Sequence, residues 1–362
     1  MASAATTADF HFATAVTEWQ AEHGRHCLPW QATRDPYRVW LSEIMLQQTQ
    51  VVTVLGYFDR FLDRFPNVQS LAAAEQADVL ALWSGLGYYS RARNLHRCAQ
   101  AIVADHGGQF PRSASALQTL PGIGPSTAAA IASFCFHEPV SIYDGNVKRV
   151  LSRFLGFEGD LSVLANDKQL QQLAQTLVPT TNLGVAMPRY TQGLMDLGAT
   201  VCTRSKPTCL VCPLLQTCVA QGSGNPTRLP VKTRSPQRST VAWHLLLLQL
   251  PSGEVWLEKR PDKGIWAAMH CPPVLASEAE LLAHPALAHA TAVQRLAPFT
   301  HSLTHRDLVL HPVVCQVPLI PFKLSDGEAG SGTWVATASL QHLGLPAPIS
   351  KLLAQLEPVA KG

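Results

Sequence analysis

Leu120-Pro121-Gly122-Ile123-Gly124-Pro125-Ser126-Thr127-Ala128 decides the reading of this chain, together with the run that follows it to Tyr143-Asp144-Gly145-Asn146-Val147-Lys148-Arg149. The first half reads as a hairpin between two helices. Gly122 and Gly124 permit a tight turn with positive φ. Pro125, Ser126 and Thr127 suit the first turn of a new helix. Backbone N–H groups at such a turn point outward unpaired and can hold a phosphate. The second half sets an acid, Asp144, at the head of another helix. The stretch as a whole suggests a grip on a nucleic-acid backbone followed by a group that does chemistry.

Outward from there, apolar residues recur at helical spacing over most of the first 220 residues. Phe10 to Glu22 reads as a helix stopped at Gly24. From Pro36 the pattern is helical through Gln47, Gln48 and Thr49, with Val39, Trp40, Ile44, Val51, Leu55 and Phe58 in step. Asp78–Trp83, Tyr89–Ala104, Val147–Leu155, Asp167–Leu177 and Ala186–Leu197 read as further helices. After Cys218 the periodicity stops. Residues 221–239 are Gly-, Ser- and Pro-punctuated and carry Arg228, Lys232, Arg234 and Arg238, so they read as a basic linker. Beyond it, Thr240–Leu250, Glu254–Lys259, Asp307–Val317 and Gly332–Ala336 read as strands, with helices at Glu278–Leu287 and Ile349–Leu356. The division is a helical domain over 1–220, the linker over 221–239, and an α+β domain over 240–358.

A chain of 362 residues is long enough for two or three domains. Its net charge of +3 permits a nucleic-acid partner without arguing for one. No apolar run is long enough for a membrane span, and the N-terminus has no basic residue and no secretory apolar region. A cytoplasmic, nucleoid-associated bacterial protein is expected, acting as a monomer. Of the nine cysteines, Cys27, Cys98, Cys135, Cys271 and Cys315 stand singly and read as buried small hydrophobes. The other four form Cys202-x6-Cys209-x2-Cys212-x5-Cys218. Four thiolates so close in sequence suit tetrahedral zinc or an iron–sulfur cluster. Between the first two, Arg204 and Lys206 sit on a tethered loop placed to meet phosphates.

These pieces together resemble the endonuclease III-like superfamily of DNA glycosylases. Within it, Leu28-Pro29-Trp30, the run Trp40 to Val51, Leu82-Trp83-x-Gly85-Leu86-Gly87-Tyr88-Tyr89 and Met195-Asp196-Leu197-Gly198-Ala199 resemble the A/G-specific adenine DNA glycosylases of MutY type. The resemblance implies a helix-hairpin-helix domain with a [4Fe-4S] cluster on Cys202, Cys209, Cys212 and Cys218, and a C-terminal MutT-like domain. It implies duplex DNA holding adenine opposite 8-oxoguanine or guanine as the partner. Ser277-Glu278-Ala279-Glu280-Leu281 is not the glutamate-rich helix a nucleotide hydrolase of that fold needs, so the second domain is expected to read rather than hydrolyse. Where the family has Phe-Ser-His, this chain has Leu303-Thr304-His305, and Thr304 keeps a hydroxyl for the oxidised guanine.

Taken alone, Glu43 reads as a solvated helix face and Asp144 as an N-cap. The resemblance assigns both to catalysis. Glu43, flanked by Trp40, Leu41, Ile44 and Leu46, would be the general acid if burial raises its pKa. Asp144 would stabilise the cationic sugar. Gln47, Gln48 and Tyr88 suit the gap left by an extruded base. Thr49, Leu86, Gly122, Gly124, Ser126, Lys148, Arg204 and Lys206 complete the expected DNA contacts. Ser126 stands where strand-cleaving relatives carry a Schiff-base lysine, so a monofunctional enzyme is expected. Two alternatives remain open: a glycosylase/lyase for oxidised pyrimidines, and a non-catalytic iron–sulfur redox sensor that binds DNA.

Overall fold

The computed structural model describes residues 5–234, 238–318 and 332–356, with side chains from residue 12 onward. Backbone contacts group the chain into two compact units, Met1–Ala72 with Arg97–Ser235, and Ala73–His96 with Pro236–Gly362. Residues 73–96, read from sequence with the helical region, therefore group with the C-terminal part.

The helices run in chain order as α1 (Ala5–His23), α2 (Pro36–Leu46), α3 (Val51–Arg64), α4 (Val68–Ala72), α5 (Gln76–Leu82), α6 (Ser90–His106), α7 (Ala114–Leu117), α8 (Pro125–Phe136), α9 (Gly145–Leu155), α10 (Leu164–Thr176), α11 (Leu183–Asp196) and α12 (Val219–Gly222). The single helix expected from Pro36 through Phe58 is two. Asp35 caps α2, its Oδ1 accepting from Tyr37 N at 3.0 Å, and Pro36 fills the first helical position. The helix ends where Gln48 turns left-handed at φ 57°. The sequence hides this break because the apolar phase runs on through it and no Gly or Pro marks it. α2 is buried almost all round, whereas α3 buries one stripe, Val54, Phe58 and Phe61, at helical steps.

Phe12 of α1 ties the first unit's core together, with its ring 4.5 Å from Phe154 of α9 and 6.2 Å from Tyr190 of α11. α8 buries Ala128, Ala129, Ala130 and Ala132, small residues that let α2 and α11 pack closely on it. It ends at His137, which takes a left-handed conformation at φ 60° and leaves Nδ1 buried without a partner. His137→Gly should raise stability by about 1 kcal/mol by relieving that conformation. A lower denaturant midpoint would show that ring packing outweighs the backbone strain.

The expected linker is anchored for much of its length. Arg153 Nε donates to Leu229 O at 3.0 Å, Leu161 N donates to Val231 O at 3.0 Å, and Leu229 is buried.

In the second unit the strands are β1 (Ser239–Gln249), β2 (Val255–Lys259), β3 (His270–Cys271), β4 (Val274–Leu275), β5 (Ala292–Arg295), β6 (Phe299–Ser302), β7 (Arg306–Gln316) and β8 (Gly332–Val335), with α13 (Glu278–Leu282) and α14 (Ala347–Leu353). β1 and β7 pair in parallel from Ser239↔Arg306 to Gln249↔Gln316, and the other pairings are antiparallel. Leu245 to Leu248 are all buried, the continuous apolar run expected of a strand covered on both faces. The helix expected over Glu278–Leu287 stops at Leu282, because Pro285 starts a separate 3-10 turn. β3 to β6 escape the sequence reading because two to four residues are too few to show alternation. Of the single cysteines, Cys98, Cys271 and Cys315 are buried and Cys135 partly so. Cys27 is exposed, which corrects the expectation that all five are buried.

Candidate active site

The hairpin forms as read, with one correction. Ser113 caps α7, and the turn closes with Ile123 N donating to Leu120 O at 3.2 Å. Gly122 has φ 76°, where L side chains are strained. Gly124 is instead extended, at φ −84° and ψ 172°, and caps α8. Neither conformation nor packing demands a glycine there, since an added Cβ would meet no protein atom within 4 Å. What the missing side chain leaves is open backbone at a helix N-terminus. The first N–H groups of α8, including those of Ser126 and Thr127, have no intrahelical acceptor and favour an anion. Thr127 also holds Gln47, whose Nε2 donates to its Oγ1 at 3.2 Å. The loop Gln47-Gln48-Thr49 thus leans on the hairpin helix, and Gln48 stays exposed.

Asp144 caps α9, its Oδ1 accepting from Val147 N at 2.8 Å. Glu43 lies on α2 between buried Ser42 and Ile44. The part of it that remains accessible faces a cavity of about 440 Å³ rather than bulk solvent. Burial first, and the charge of Asp144 second, raise its pKa from 4.5 to about 8. Trp30, Gln31, Leu46, Val51 and Met195 also line the cavity, and Glu43 is its one acid among the described residues. Arg25, His26, Arg34 and Arg189 line it as well. The guanidinium groups of Arg25, Arg34 and Arg189 on the same cavity wall as one acid suit a base attached to a phosphate backbone.

Sequence reasoning missed several of these residues. Arg25 is held by buried Asp196, with Nη2 to Oδ1 at 2.6 Å, and Gln192 Nε2 donates to the same oxygen at 2.8 Å. Gln31 Oε1 accepts from Leu28 N at 3.2 Å, while its Nε2 is buried without a partner. Leu28-Pro29-Trp30 and Met195-Asp196 signalled parts of this wall, and nothing local marked Arg25 or Gln192.

Lys148 is tied down. Its Nζ lies 2.7 Å from Asp167 Oδ1 and 4.6 Å from the centre of the Tyr143 ring. Tyr143 OH donates to Asp167 O at 2.8 Å. This amine is therefore engaged in an ion pair one helical turn beyond Asp144.

Cys202, Cys209, Cys212 and Cys218 line one pocket. No three of the described His, Cys, Asp or Glu side chains are grouped to hold a single metal ion. Four thiols on one pocket are a donor set that zinc or an iron–sulfur cluster takes. Burial pushes the Cys212 thiol up to about 12 and also raises Cys209 and Cys218. Buried Arg153 supports the loop, with Nη1 donating to Cys202 Sγ at 3.3 Å and to Thr203 O at 2.7 Å. Arg204 and Lys206 remain exposed. Arg149 joins the loop to the head of α9, since Nε donates to Cys202 O at 2.7 Å and Nη2 to Asn146 Oδ1 at 2.8 Å. Gly198 lies in the same junction, where an added Cβ would come 2.7 Å from Asn146 Cβ and 3.3 Å from its Cα. Gly198→Ala should therefore cost about 1–3 kcal/mol and lower excision by displacing the residues beside Asp144. A variant as stable and active as the parent would show that the junction yields freely.

In the second unit, Tyr88 is exposed at φ 50°, with the Arg91 guanidinium 5.5 Å from its ring centre. Leu86, expected to face DNA, is buried at 6% exposure. Its side chain belongs to the core, and the sequence misled because the Gly85-Leu86-Gly87 setting reads as an open loop. Thr304 and His305 are exposed between β6 and β7, and Thr304 Oγ1 lies 3.4 Å from Tyr88 OH.

Residues 41–201 match the HhH-GPD superfamily of base excision DNA repair proteins, and residues 244–355 match the NUDIX domain. The chain is 36% identical over 349 residues to the adenine DNA glycosylase of Buchnera aphidicola subsp. Acyrthosiphon pisum, covering 94% of this chain and 96% of that protein.

The chain belongs to the adenine DNA glycosylase family.

Family membership accounts for both units, because the match runs through the NUDIX part as well. A solved thermostable thymine-DNA glycosylase aligns at TM-score 0.54 and 29% identity, covering 60% of this chain and 98% of its own. A trapped endonuclease III–DNA covalent intermediate aligns at 0.50 and 20% identity over 60% of this chain and 97% of its own, a likeness of fold. The chain is thus a base-excision DNA glycosylase acting on DNA. Among the described residues, no helix is long and apolar enough to cross a membrane.

Proposed function

We propose that this chain is a monofunctional adenine glycosylase that hydrolyses the N-glycosidic bond of adenine opposite 8-oxoguanine or guanine in duplex DNA, working as a monomer on the bacterial nucleoid. The observation that carries it is Glu43, protonated up to about pH 8 through burial and the charge of Asp144, and facing a cavity. Adenine leaves the stack and enters this cavity. Glu43 gives its proton to the ring, at N7, so that a neutral base departs as the C1′–N9 bond breaks. The Asp144 carboxylate stabilises the cationic sugar until water adds, the proton that water loses returning to the Glu43 carboxylate. The unpartnered Gln31 Nε2 donor meets an acceptor on the base edge, a contact that favours a polar ring.

The DNA grip combines the N–H groups at Gly122, Gly124 and Ser126 with Arg204 and Lys206, while Gln47, Gln48 and Thr49 fill the gap left by the extruded base; on the second unit, the Tyr88 ring offers a stacking face to DNA. Leu86 contributes through its backbone alone. Thr304 and His305 read the oxidised guanine. Cys202, Cys209, Cys212 and Cys218 hold a [4Fe-4S] cluster, which when bound braces the loop that carries Arg204 and Lys206.

Ser126 has no amine for a Schiff base, and Lys148 is held by Asp167, which argues against a lyase. Borohydride trapping tests this part. Base release should leave an intact abasic strand and little crosslinked protein. Efficient nicking with strong crosslinking would reassign the chain to the glycosylase/lyase class.

A further inference from the structure

We propose that freed adenine leaves the Glu43 cavity through a second cavity between α1 and α11, so that the base and the abasic strand part by different ways. The inference rests on the reading of the first cavity as the site of adenine excision. The second cavity has a volume of about 390 Å³ and lies within the first unit. That size falls inside the range of small-molecule sites. Ala21 of α1 and Arg189 of α11 line both cavities, so the two adjoin at these residues. What stands there is one methyl group and an exposed guanidinium on a rotamer-rich stem. Arg189 forms no ion pair with a described residue.

A flipped nucleotide stays joined to its strand on both sides. Once the C1′–N9 bond breaks, the abasic strand still fills the mouth by which the base came in, and the free base needs an opening that the strand does not occupy. The charge of the second cavity suits a base and not a strand. Glu18 and Glu22 line it and do not line the first cavity. Carboxylates accept from the exocyclic amine of a neutral purine and repel phosphates. The planar Arg189 guanidinium stacks on the ring as it passes. The helix is also loosened at this place. Pro188, inside α11, has no N–H to give the carbonyl of Gly184. An added Cβ at Gly184 would meet no protein atom within 4 Å, so the first turn of α11 can shift there without losing a packing contact.

The test separates bond breaking from base departure in single-turnover reactions of the full chain on a duplex carrying radiolabelled adenine opposite 8-oxoguanine. Alkali-quenched samples count broken bonds, and samples passed rapidly through a desalting column count adenine no longer held by the protein–DNA complex. In the parent the two should rise together. Val185 lines the second cavity alone and is exposed, so Val185→Trp fills that cavity without entering the first and without disturbing the core. Val185→Trp should break bonds at the parental rate while free adenine lags about tenfold behind. Ala21→Trp, at the exposed junction of the two cavities, should lag likewise. Release that keeps step with bond breaking in both variants would overturn the inference, because adenine would then leave by the mouth that admits the strand. Slower bond breaking with release still in step would overturn it as well. A parent that breaks no bond would instead remove the reading of the Glu43 cavity, and this path with it.

Discussion

Glu43→Gln should abolish base excision and at the same time stabilise the protein. The amide cannot deliver a proton, so single-turnover excision should fall by about two to four orders of magnitude. The stability gain follows from the titration of the parent side chain. Its folded pKa of about 8 lies above its ordinary 4.5, so the folded state binds the proton more tightly. Stability is therefore lost as pH rises from 4.5 through 8. At pH 7, 2.5 units above 4.5, that loss is roughly 3 kcal/mol, which a neutral isostere avoids. The same sign governs activity, which should be present below about 8 and fall as Glu43 deprotonates above it. Denaturant melts across pH, set beside a pH–rate profile, check both. A mutant that excises normally, or a rate rising through pH 8, would remove Glu43 from the role of acid.

Asp144→Asn separates catalysis from helix capping. Asparagine caps as well as aspartate does, so the bond to Val147 N can persist and stability should change by less than about 1 kcal/mol. The negative charge proposed to stabilise the cationic sugar is lost, and excision should fall by about two to three orders of magnitude. Asp144→Ala should lose the activity and, in addition, about 1 kcal/mol of stability. Equal stability loss in both variants, with activity following stability, would make Asp144 a cap and nothing more.

The hairpin and the Asp144 cap were legible because they depend on local chemistry, whereas Glu43 taken alone reads as a solvated helix face and its burial was not legible. A turn glycine, a helix-opening proline and a capping aspartate each act within a few residues. The cysteine spacing was legible for the same reason. The break between α2 and α3 was not, since Gln48 adopts its left-handed backbone without a glycine to announce it. Gly124 was misread because a turn needing positive φ and a surface left bare for a ligand call for the same residue. The place of Arg25 in the cavity wall was invisible. Arg25 and Asp196 meet across 171 positions, and no local pattern encodes that pair. The grouping of residues 73–96 with the C-terminal part was hidden likewise, since it rests on contacts such as Tyr89 OH to Leu345 O at 3.1 Å.

The central claim is adenine release directed by the opposite base. Single-turnover reactions on duplexes that differ only in the base opposite one adenine test it most directly. Free adenine should appear from the duplexes with 8-oxoguanine or guanine, fastest with 8-oxoguanine, and none from the adenine–thymine duplex, with no strand break before alkali. Equal release from the adenine–thymine duplex, or no adenine release opposite 8-oxoguanine, would contradict it.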